Sequence, residues 1–230
     1  MTSNFSSPSN YLFIYEDVEY QKGVLAPSEI ESIIGYSPKT IMEFGSFDGG
    51  DGLRYKCQYP EATVYSLEAD PDLFKKTQQV EKYGIHVFHA AVTNYVGEIE
   101  FNRTIHPTKG IPVGGGSILI PTLEIQEKYK EIINYSHKSV TVPCTTIEYF
   151  CKQNNITNID FMHIDVEGAA KQVIEGFGSI RPVGLFIELI LTEFSHIGGS
   201  KRTEVEKILF DLGYIFIDSN GNDCIYKLRR

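Results

Sequence analysis

The chain has 230 residues, 42% of them hydrophobic and 22% charged, and this composition excludes a disordered, collagen-like or low-complexity protein. Thirty acidic against 21 basic residues give a formal charge of −9, which repels phosphate backbones and argues against non-specific nucleic-acid binding. The cysteines Cys57, Cys144, Cys151 and Cys224 form no C-x-x-C pair, so we expect reduced thiols and neither disulfides nor a zinc site.

No segment of the chain predicts targeting or membrane insertion. The first ten residues are rich in Ser and Asn and lack an apolar stretch, which argues against a signal peptide. The longest apolar run, 183–191, carries Glu188 and has about half the length that a membrane span requires. We therefore expect a cytoplasmic protein without a membrane span.

Short apolar runs and segments of helical periodicity alternate along the chain. Predicted strands cover residues 40–44, 63–67, 85–88, 97–101, 140–142, 159–164, 183–188, 214–218 and 224–227. Predicted helices cover residues 27–34, 53–59, 72–83, 121–135, 145–151, 169–175 and 201–212. The alternation is typical of a mostly parallel sheet with helices on both faces, and the last two strands predict an antiparallel hairpin at one edge.

One stretch interrupts this alternation. Residues from about 105 to 138 are interpreted as an insertion of a loop and a helix. We expect this insertion, together with the loop at 189–200, to shape the site where the substrate binds. Within the insertion, 114–116 are three consecutive glycines and predict a mobile flap, with Ser117 as a candidate contact to cofactor or substrate. Residues 1–35 form an N-terminal extension, and residues 36–230 carry the main domain.

A glycine-rich turn follows the first strand of the predicted sheet. Gly45 and Gly49 allow the backbone to turn sharply and approach a ligand closely, and the next helix directs its amide dipoles to the same place. The dinucleotide motif G-x-G-x-x-G is absent. The acids Glu43 and Asp48 repel a pyrophosphate but suit a ligand with an ammonium and a sulfonium group.

The ends of the next two strands supply residues suited to an adenosine. Glu68 can accept hydrogen bonds from both ribose hydroxyls, with Ala69 beside it. The small side chains of Ala91 and Val92 leave room for an adenine ring. The order and spacing of these residues favour S-adenosylmethionine, although an NAD-dependent oxidoreductase on a Rossmann sheet also places an acid at the position of Glu68.

Candidate catalytic residues follow two later strands. His163 and Asp165 lie two apart in a strand and so share a face, and the imidazole of His163 could accept the proton of a substrate hydroxyl or be a packed core histidine. Asp165 and Glu188 end two different strands. Their carboxylates could bind Mg²⁺ or Ca²⁺, bind a cationic group, or orient the substrate, and the metal is not the favoured alternative.

Four motifs together resemble one family. The stretches E-F-G-S-F-D-G-G-D at 43–51, Y-S-L-E-A-D-P at 65–71, I-D-F-M-H-I-D-V-E-G-A at 159–169 and V-G-L-F-I-E-L at 183–189 resemble the FkbM family of S-adenosylmethionine-dependent methyltransferases. The resemblance implies a class I methyltransferase fold, Rossmann-like, with a seven-stranded sheet. It also implies a role for single residues: Glu43, Gly45 and Ser46 at the methionine end of the cofactor, Glu68 at the ribose, Ala91 and Val92 at the adenine, and Asp165 at the floor of the methyl-transfer site.

The chain departs from the family pattern at two positions. His163 stands where the family usually has lysine, and Phe47 stands where asparagine is common. We expect methyl transfer from S-adenosylmethionine to an oxygen of a sugar hydroxyl or a related polar small molecule or glycan, yielding S-adenosylhomocysteine. The alternatives are an NAD-dependent oxidoreductase, against which the missing G-x-G-x-x-G argues, and a non-catalytic binding module that keeps the sheet.

Overall fold

The computed structural model describes residues 12–21, 23, 25–135, 139–189, 196–220 and 223–229. The predictions for the first ten residues, for the turn residues 221–222 and for residues 190–195 of the loop at 189–200 lie outside these ranges. In the described part of the chain, no helix is both long enough and apolar enough to cross a membrane. Its four cysteines are all unpaired, three of them buried and Cys57 exposed.

The elements follow one another with strands and helices in alternation. The strands are β1 (Leu12–Tyr15), β2 (Val18–Gln21), β3 (Thr40–Phe44), β4 (Thr63–Glu68), β5 (Ile85–His89), β6 (Ala91–Val92), β7 (Gly97–Asn102), β8 (Ile120–Pro121), β9 (Ser139–Thr145), β10 (Phe161–Ile164), β11 (Gly184–Glu188), β12 (His196–Ile197), β13 (Tyr214–Asn220) and β14 (Asp223–Leu228). The α-helices are α1 (Glu29–Ile34), α2 (Gly50–Gln58), α3 (Pro71–Thr77), α4 (Leu123–Tyr129), α5 (Ile147–Gln153), α6 (Ala170–Glu175) and α7 (Arg202–Asp211), and a 3-10 helix (Gln78–Tyr83) follows α3.

Seven strands form the main sheet, in the order β13-β14-β11-β10-β3-β4-β5. The five strands from β11 to β5 are parallel, whereas β14 runs antiparallel to both β11 and β13. This arrangement confirms the predicted fold class, including the antiparallel hairpin at the C-terminal edge.

Helices cover both faces of the sheet. On one face, side chains of α5, α6 and α7 such as Ile147, Val173 and Leu209 pack on Met42 and the other residues that point that way. On the other face, α1 and α2 pack on residues such as Ile41. Because strands of such a sheet are buried on both sides, they read as nearly continuous apolar runs, which is why they could be located from the sequence.

Two predicted strands, β7 and β9, are not part of the main sheet. Strand β9 pairs with β7 antiparallel and with β6 parallel in a separate three-stranded sheet. Every second residue in the middle of β9 is exposed or half-buried, so this strand lacks the two buried faces of a main-sheet strand. The pairing of β7 with β9 also holds together the two ends of the predicted insertion.

The N-terminal hairpin and the helix of the insertion differ from the sequence prediction. Strands β1 and β2 are joined by Glu16 and Asp17, both with positive φ (47° and 63°), the sign that a type I′ turn requires of its two central residues. Glu-Asp is a poor sequence signal for this turn, so no hairpin was predicted. Helix α4 covers seven residues instead of the predicted 121–135, and none of its side chains is buried.

Candidate functional site

A cavity of about 230 Å³ opens at the carboxyl ends of the central strands. Its lining includes Phe44 at the end of β3, Glu68 at the end of β4, Val92 in β6 and Asp165 just after β10. Residues 113–118 are here called the roof segment. All of them except Ser117 line the cavity and close it from the side of the insertion. The cavity therefore lies where ligands bind in open α/β sheets.

The loops that follow β3 and β10 touch each other at the bottom of the cavity. The Asp165 N–H donates to the Phe44 carbonyl over 3.1 Å. Gly45 has φ +77°, and a Cβ at this position would lie 1.8 Å from the Asp165 carbonyl oxygen. Only glycine fits there, and its absent side chain lets the two loops approach each other.

Glu68 is buried at the cavity wall, with 4% of its surface exposed. Its Oε2 accepts from the Phe47 N–H and its Oε1 from the Asp70 N–H, each over 2.8 Å. Burial raises the pKa of this carboxyl to about 7, against the two backbone hydrogen bonds that lower it. Each oxygen keeps a further lone pair, so Glu68 can still accept from a ligand.

Of the other residues predicted to bind a cofactor, three more line the cavity. Ala69 follows Glu68, and Ala91 and Val92 lie in β6, where each is 4% exposed. With Gly45, Glu68 and Asp165 they form a continuous lining from the end of β3 to β6.

Four of the predicted cofactor residues do not line the cavity. Glu43 is buried below the glycine-rich turn and accepts from the Ser66 hydroxyl over 2.7 Å. The Asp48 carboxylate accepts from the N–H groups of Gln21 and Gly50. Ser46 is 3% exposed, and Gly49 packs against Val80. In this structure these four residues shape the turn beside the cavity.

His163 also lies outside the cavity lining. It is 6% exposed, its Nδ1 is 2.9 Å from the Tyr55 hydroxyl, and its ring packs edge-on against Phe186 at 5.0 Å. Together with Glu43 and Asp51 it could offer ligand atoms within 4.8 Å of one another. Each of these three side chains has a protein partner already, since Asp51 accepts from the Gly23 N–H. This environment favours the alternative of a packed core histidine.

Asp165 and three neighbouring acids converge beyond β10 and β11. Oxygens of Asp165, Glu167 and Glu188 lie within 4.8 Å of one another, and Asp223 is paired with Glu188 in the register of β11 and β14. Burial, reinforced by the negative charge of neighbouring acids, raises the pKa of Glu167 to about 8 and that of Asp223 to about 7. Protons on some of these four carboxyls, or a bound cation, therefore offset their mutual repulsion at neutral pH.

The Asp165–Glu188 pair shows where one of those protons lies. The Asp165 side chain is exposed at the cavity. Loss of hydration next to the protein raises its pKa, whereas the nearby His163 and a hydrogen bond from Glu188 lower it. Burial holds the pKa of Glu188 well above its usual range, and its hydrogen bond to Asp165 adds to this effect. A proton shared by the two carboxyls therefore resides more on Glu188, whose pKa is raised further, than on Asp165. Hard cations such as Mg²⁺ prefer the same oxygen ligands.

The roof segment is fastened to the rest of the site at both ends. The Ser117 hydroxyl, 1% exposed, donates to the Glu167 carbonyl over 2.7 Å. The Thr104 hydroxyl donates to the Val113 carbonyl over 2.8 Å. Ser117 therefore helps to hold the roof segment in place. The sequence suggested a contact with cofactor or substrate, but the hydroxyl points away from the cavity, to the Glu167 carbonyl.

Two residues near the cavity were not singled out from the sequence. Gln21, at the end of β2, is part of the cavity lining. Tyr135 lies close enough to Glu167 that the carboxylate, after burial, raises the pKa of its phenol. Neither residue stands in a motif, and only the folded chain brings them beside residues that follow them by more than 20 positions.

Comparisons with known proteins identify relatives of the chain. The family model described as the methyltransferase FkbM domain matches residues 50–216. The 2-O-methyltransferase NoeI of Sinorhizobium fredii is 24% identical in a 174-residue alignment that covers 69% of this chain and 68% of that protein.

Two solved structures resemble the chain at lower identity. The precorrin-6y C5,15-methyltransferase of Geobacter metallireducens is 9% identical, with a TM-score of 0.47 over 89% of this chain and 87% of that one. The methyltransferase PaMTH1 of Podospora anserina, solved with bound S-adenosylhomocysteine, is 8% identical, with a TM-score of 0.46 over 88% of this chain and 77% of that one.

Proposed function

Because the chain belongs to the FkbM methyltransferase family, we propose that it transfers the methyl group of S-adenosylmethionine to a hydroxyl oxygen of a sugar or a related polar small molecule. The observation that carries this proposal is the cavity itself. Its lining runs from Asp165 and Gly45 past the buried Glu68 to Ala91 and Val92. This sequence of contacts matches a sulfonium centre, a ribose and an adenine in that order.

The charge of the cavity distinguishes this donor from NAD. The ionisable side chains among the described lining residues are all acids, Glu68, Asp70, Asp165 and Glu167, and no Lys or Arg is among them. Such a lining attracts a sulfonium and repels a pyrophosphate. We therefore favour the methyltransferase over an oxidoreductase that uses a dinucleotide.

Asp165 is the residue we assign to the proton of the acceptor. The acceptor oxygen forms a new O–C bond to the methyl group of S-adenosylmethionine. The S–C bond breaks, and its electron pair stays on sulfur. Asp165 accepts the hydroxyl proton, since its carboxyl is open to the cavity and the proton it shares with Glu188 resides more on Glu188. Glu188 stands behind it as a positioning residue whose proton fixes the carboxylate. Placement of donor and acceptor in line supplies much of the remaining rate enhancement.

Two observations support methyl transfer to an oxygen atom: the name of a relative and the acidic residues of the cavity. The 24% identical protein is named a 2-O-methyltransferase. Hydroxyl groups donate hydrogen bonds to carboxylates, and Asp165 and Glu167 both face the cavity. These are features that a polyhydroxylated acceptor uses.

Methyl transfer is tested by incubating the protein with isotopically labelled donor and an extract of glycans and polar metabolites, followed by mass spectrometry. We expect labelled methyl ethers with the wild-type protein. Asp165→Asn should lower the rate by about 10²- to 10⁴-fold, the usual weight of general acid–base catalysis. Failure of the wild-type protein to label any acceptor, despite tight binding of S-adenosylhomocysteine, favours the non-catalytic binding module.

Two further variants and a chelator separate the roles within the site. Glu188→Gln keeps a donor to Asp165 and should stay within about tenfold of wild type, whereas Glu188→Ala should lose more. If His163 is the base, as one hypothesis from the sequence holds, His163→Gln should lower the rate of methyl transfer as much as Asp165→Asn does. The geometry of the site predicts a smaller loss of rate. Activity should persist in EDTA, because the shared proton already offsets the charge of the pair. Loss in EDTA and recovery with Mg²⁺ or Ca²⁺ would assign the acids to a metal.

A further inference from the structure

We propose that Gln21 binds the α-carboxylate of the methionine part of the donor, so that the N-terminal hairpin completes the cofactor site. This inference rests on the proposed function. The hairpin (β1, β2) precedes the stretch that matches the family model, residues 50–216, so the family match assigns it no role.

The end of the hairpin and the residues after it are fixed to the glycine-rich turn and to α2 by hydrogen bonds. The Gln21 N–H donates to Asp48 Oδ2 over 2.9 Å, and the Gly23 N–H donates to Asp51 Oδ2 over 2.8 Å. Arg54 donates to the Leu25 carbonyl over 2.9 Å. These bonds hold the backbone, which leaves the exposed side chain of Gln21 free to serve the cavity that it lines.

Close packing at the glycine-rich turn places Gln21 at a defined end of the cavity. A Cβ on Gly50 would lie 1.9 Å from the Gln21 carbonyl oxygen, so the backbone of β2 rests directly on the first residue of α2. In the proposed function, Glu68 and Val92, in other strands, bind the ribose and the adenine. Gln21 therefore lies at the end of the cavity where the methionine part of the donor is expected.

The chemistry of the lining then leaves one side chain for an anionic group. The donor carries a carboxylate, while four of the lining side chains are acids. Among the described lining residues, the amide of Gln21 is the one side chain with N–H donors. A neutral amide donates to a carboxylate and still accepts from the neighbouring ammonium, which suits both charges of an amino acid.

Calorimetric titration with two ligands tests this assignment. S-Adenosylhomocysteine carries the amino acid, whereas 5′-methylthioadenosine has the same adenosine and sulfur without it. Gln21→Ala should weaken S-adenosylhomocysteine about tenfold or more, as for a hydrogen bond to a charged group, and change 5′-methylthioadenosine less than about twofold. Gln21→Glu should weaken S-adenosylhomocysteine further because two carboxylates then face each other. Glu19→Ala, on the same exposed side of β2 but outside the cavity lining, is the matched control.

Each outcome decides the question. Equal affinities of Gln21→Ala and wild type for S-adenosylhomocysteine overturn the assignment, and so does an equal loss for both ligands. Thermal unfolding of the unliganded variants checks that the hairpin stays folded. If the wild-type protein binds neither ligand, the proposed function itself is wrong, and this result is distinct from a failure of Gln21 alone.

Discussion

Glu68 combines burial with a proposed role, ribose binding, that requires its charge. Ribose hydroxyls donate, so the ionised carboxylate is the form that binds them, and burial raises its pKa to about 7. Affinity for S-adenosylhomocysteine should therefore increase from about pH 6 to about pH 8 and fall as Glu68 takes up a proton. Calorimetry across this range measures the dependence.

Replacing Glu68 tests the same residue directly. Glu68→Ala should weaken binding by about 1.5–3 kcal/mol, the range for hydrogen bonds with a charged partner, and should flatten the pH dependence. Glu98→Ala, an exposed acid on β7, serves as the control. Unchanged affinity in a folded Glu68→Ala protein removes the ribose assignment.

Phe47 adopts a backbone conformation that its side chain disfavours. Its φ is +52°, a region that asparagine tolerates and bulky residues rarely enter. Its ring contacts Lys76 at 5.0 Å, so both Phe47→Ala and Phe47→Asn lose that contact. The asparagine variant should nevertheless be more stable than the alanine variant by about 0.5–1 kcal/mol in denaturant unfolding, and equal stability of the two argues against strain at this position.

At the scale of elements, one buried hydroxyl fastens the C-terminal end of the roof segment. Ser117→Ala leaves the Glu167 carbonyl without its donor and should cost about 1 kcal/mol of unfolding free energy. It should also accelerate hydrogen exchange of amides in residues 113–118, because the segment loses one of its attachments. Ser139→Ala, at an exposed position of β9, should change neither quantity. Equal exchange in both variants means that Ser117 does not hold the segment.

The strands of the main sheet were predictable, and the hairpin β1–β2 was not. A strand such as β10 is buried on both faces and therefore shows a continuous apolar run. Strand β2 buries Tyr20 alone, and its turn uses residues that rarely form one. Helix α4 ends early because helical periodicity in the sequence does not supply a partner for its apolar side chains.

At the scale of the whole molecule, the sequence located the strand ends but not the distances between side chains. Glu68 and Asp165 follow strands and so reach the cavity. Glu43 and His163 stand in equally suggestive motifs, yet they precede the ends of β3 and β10 and are buried beneath the turn. Gln21 reaches the cavity through contacts with α2 that no local pattern encodes.

The central claim is that the cavity binds the methyl donor and not a dinucleotide. Thermal unfolding of the full chain in S-adenosylhomocysteine, in NAD and in buffer compares the two directly. The account predicts a higher melting temperature in S-adenosylhomocysteine alone, since a ligand at a hundred times its dissociation constant adds about 2.7 kcal/mol to the unfolding free energy. Stabilisation by NAD without stabilisation by S-adenosylhomocysteine would contradict it.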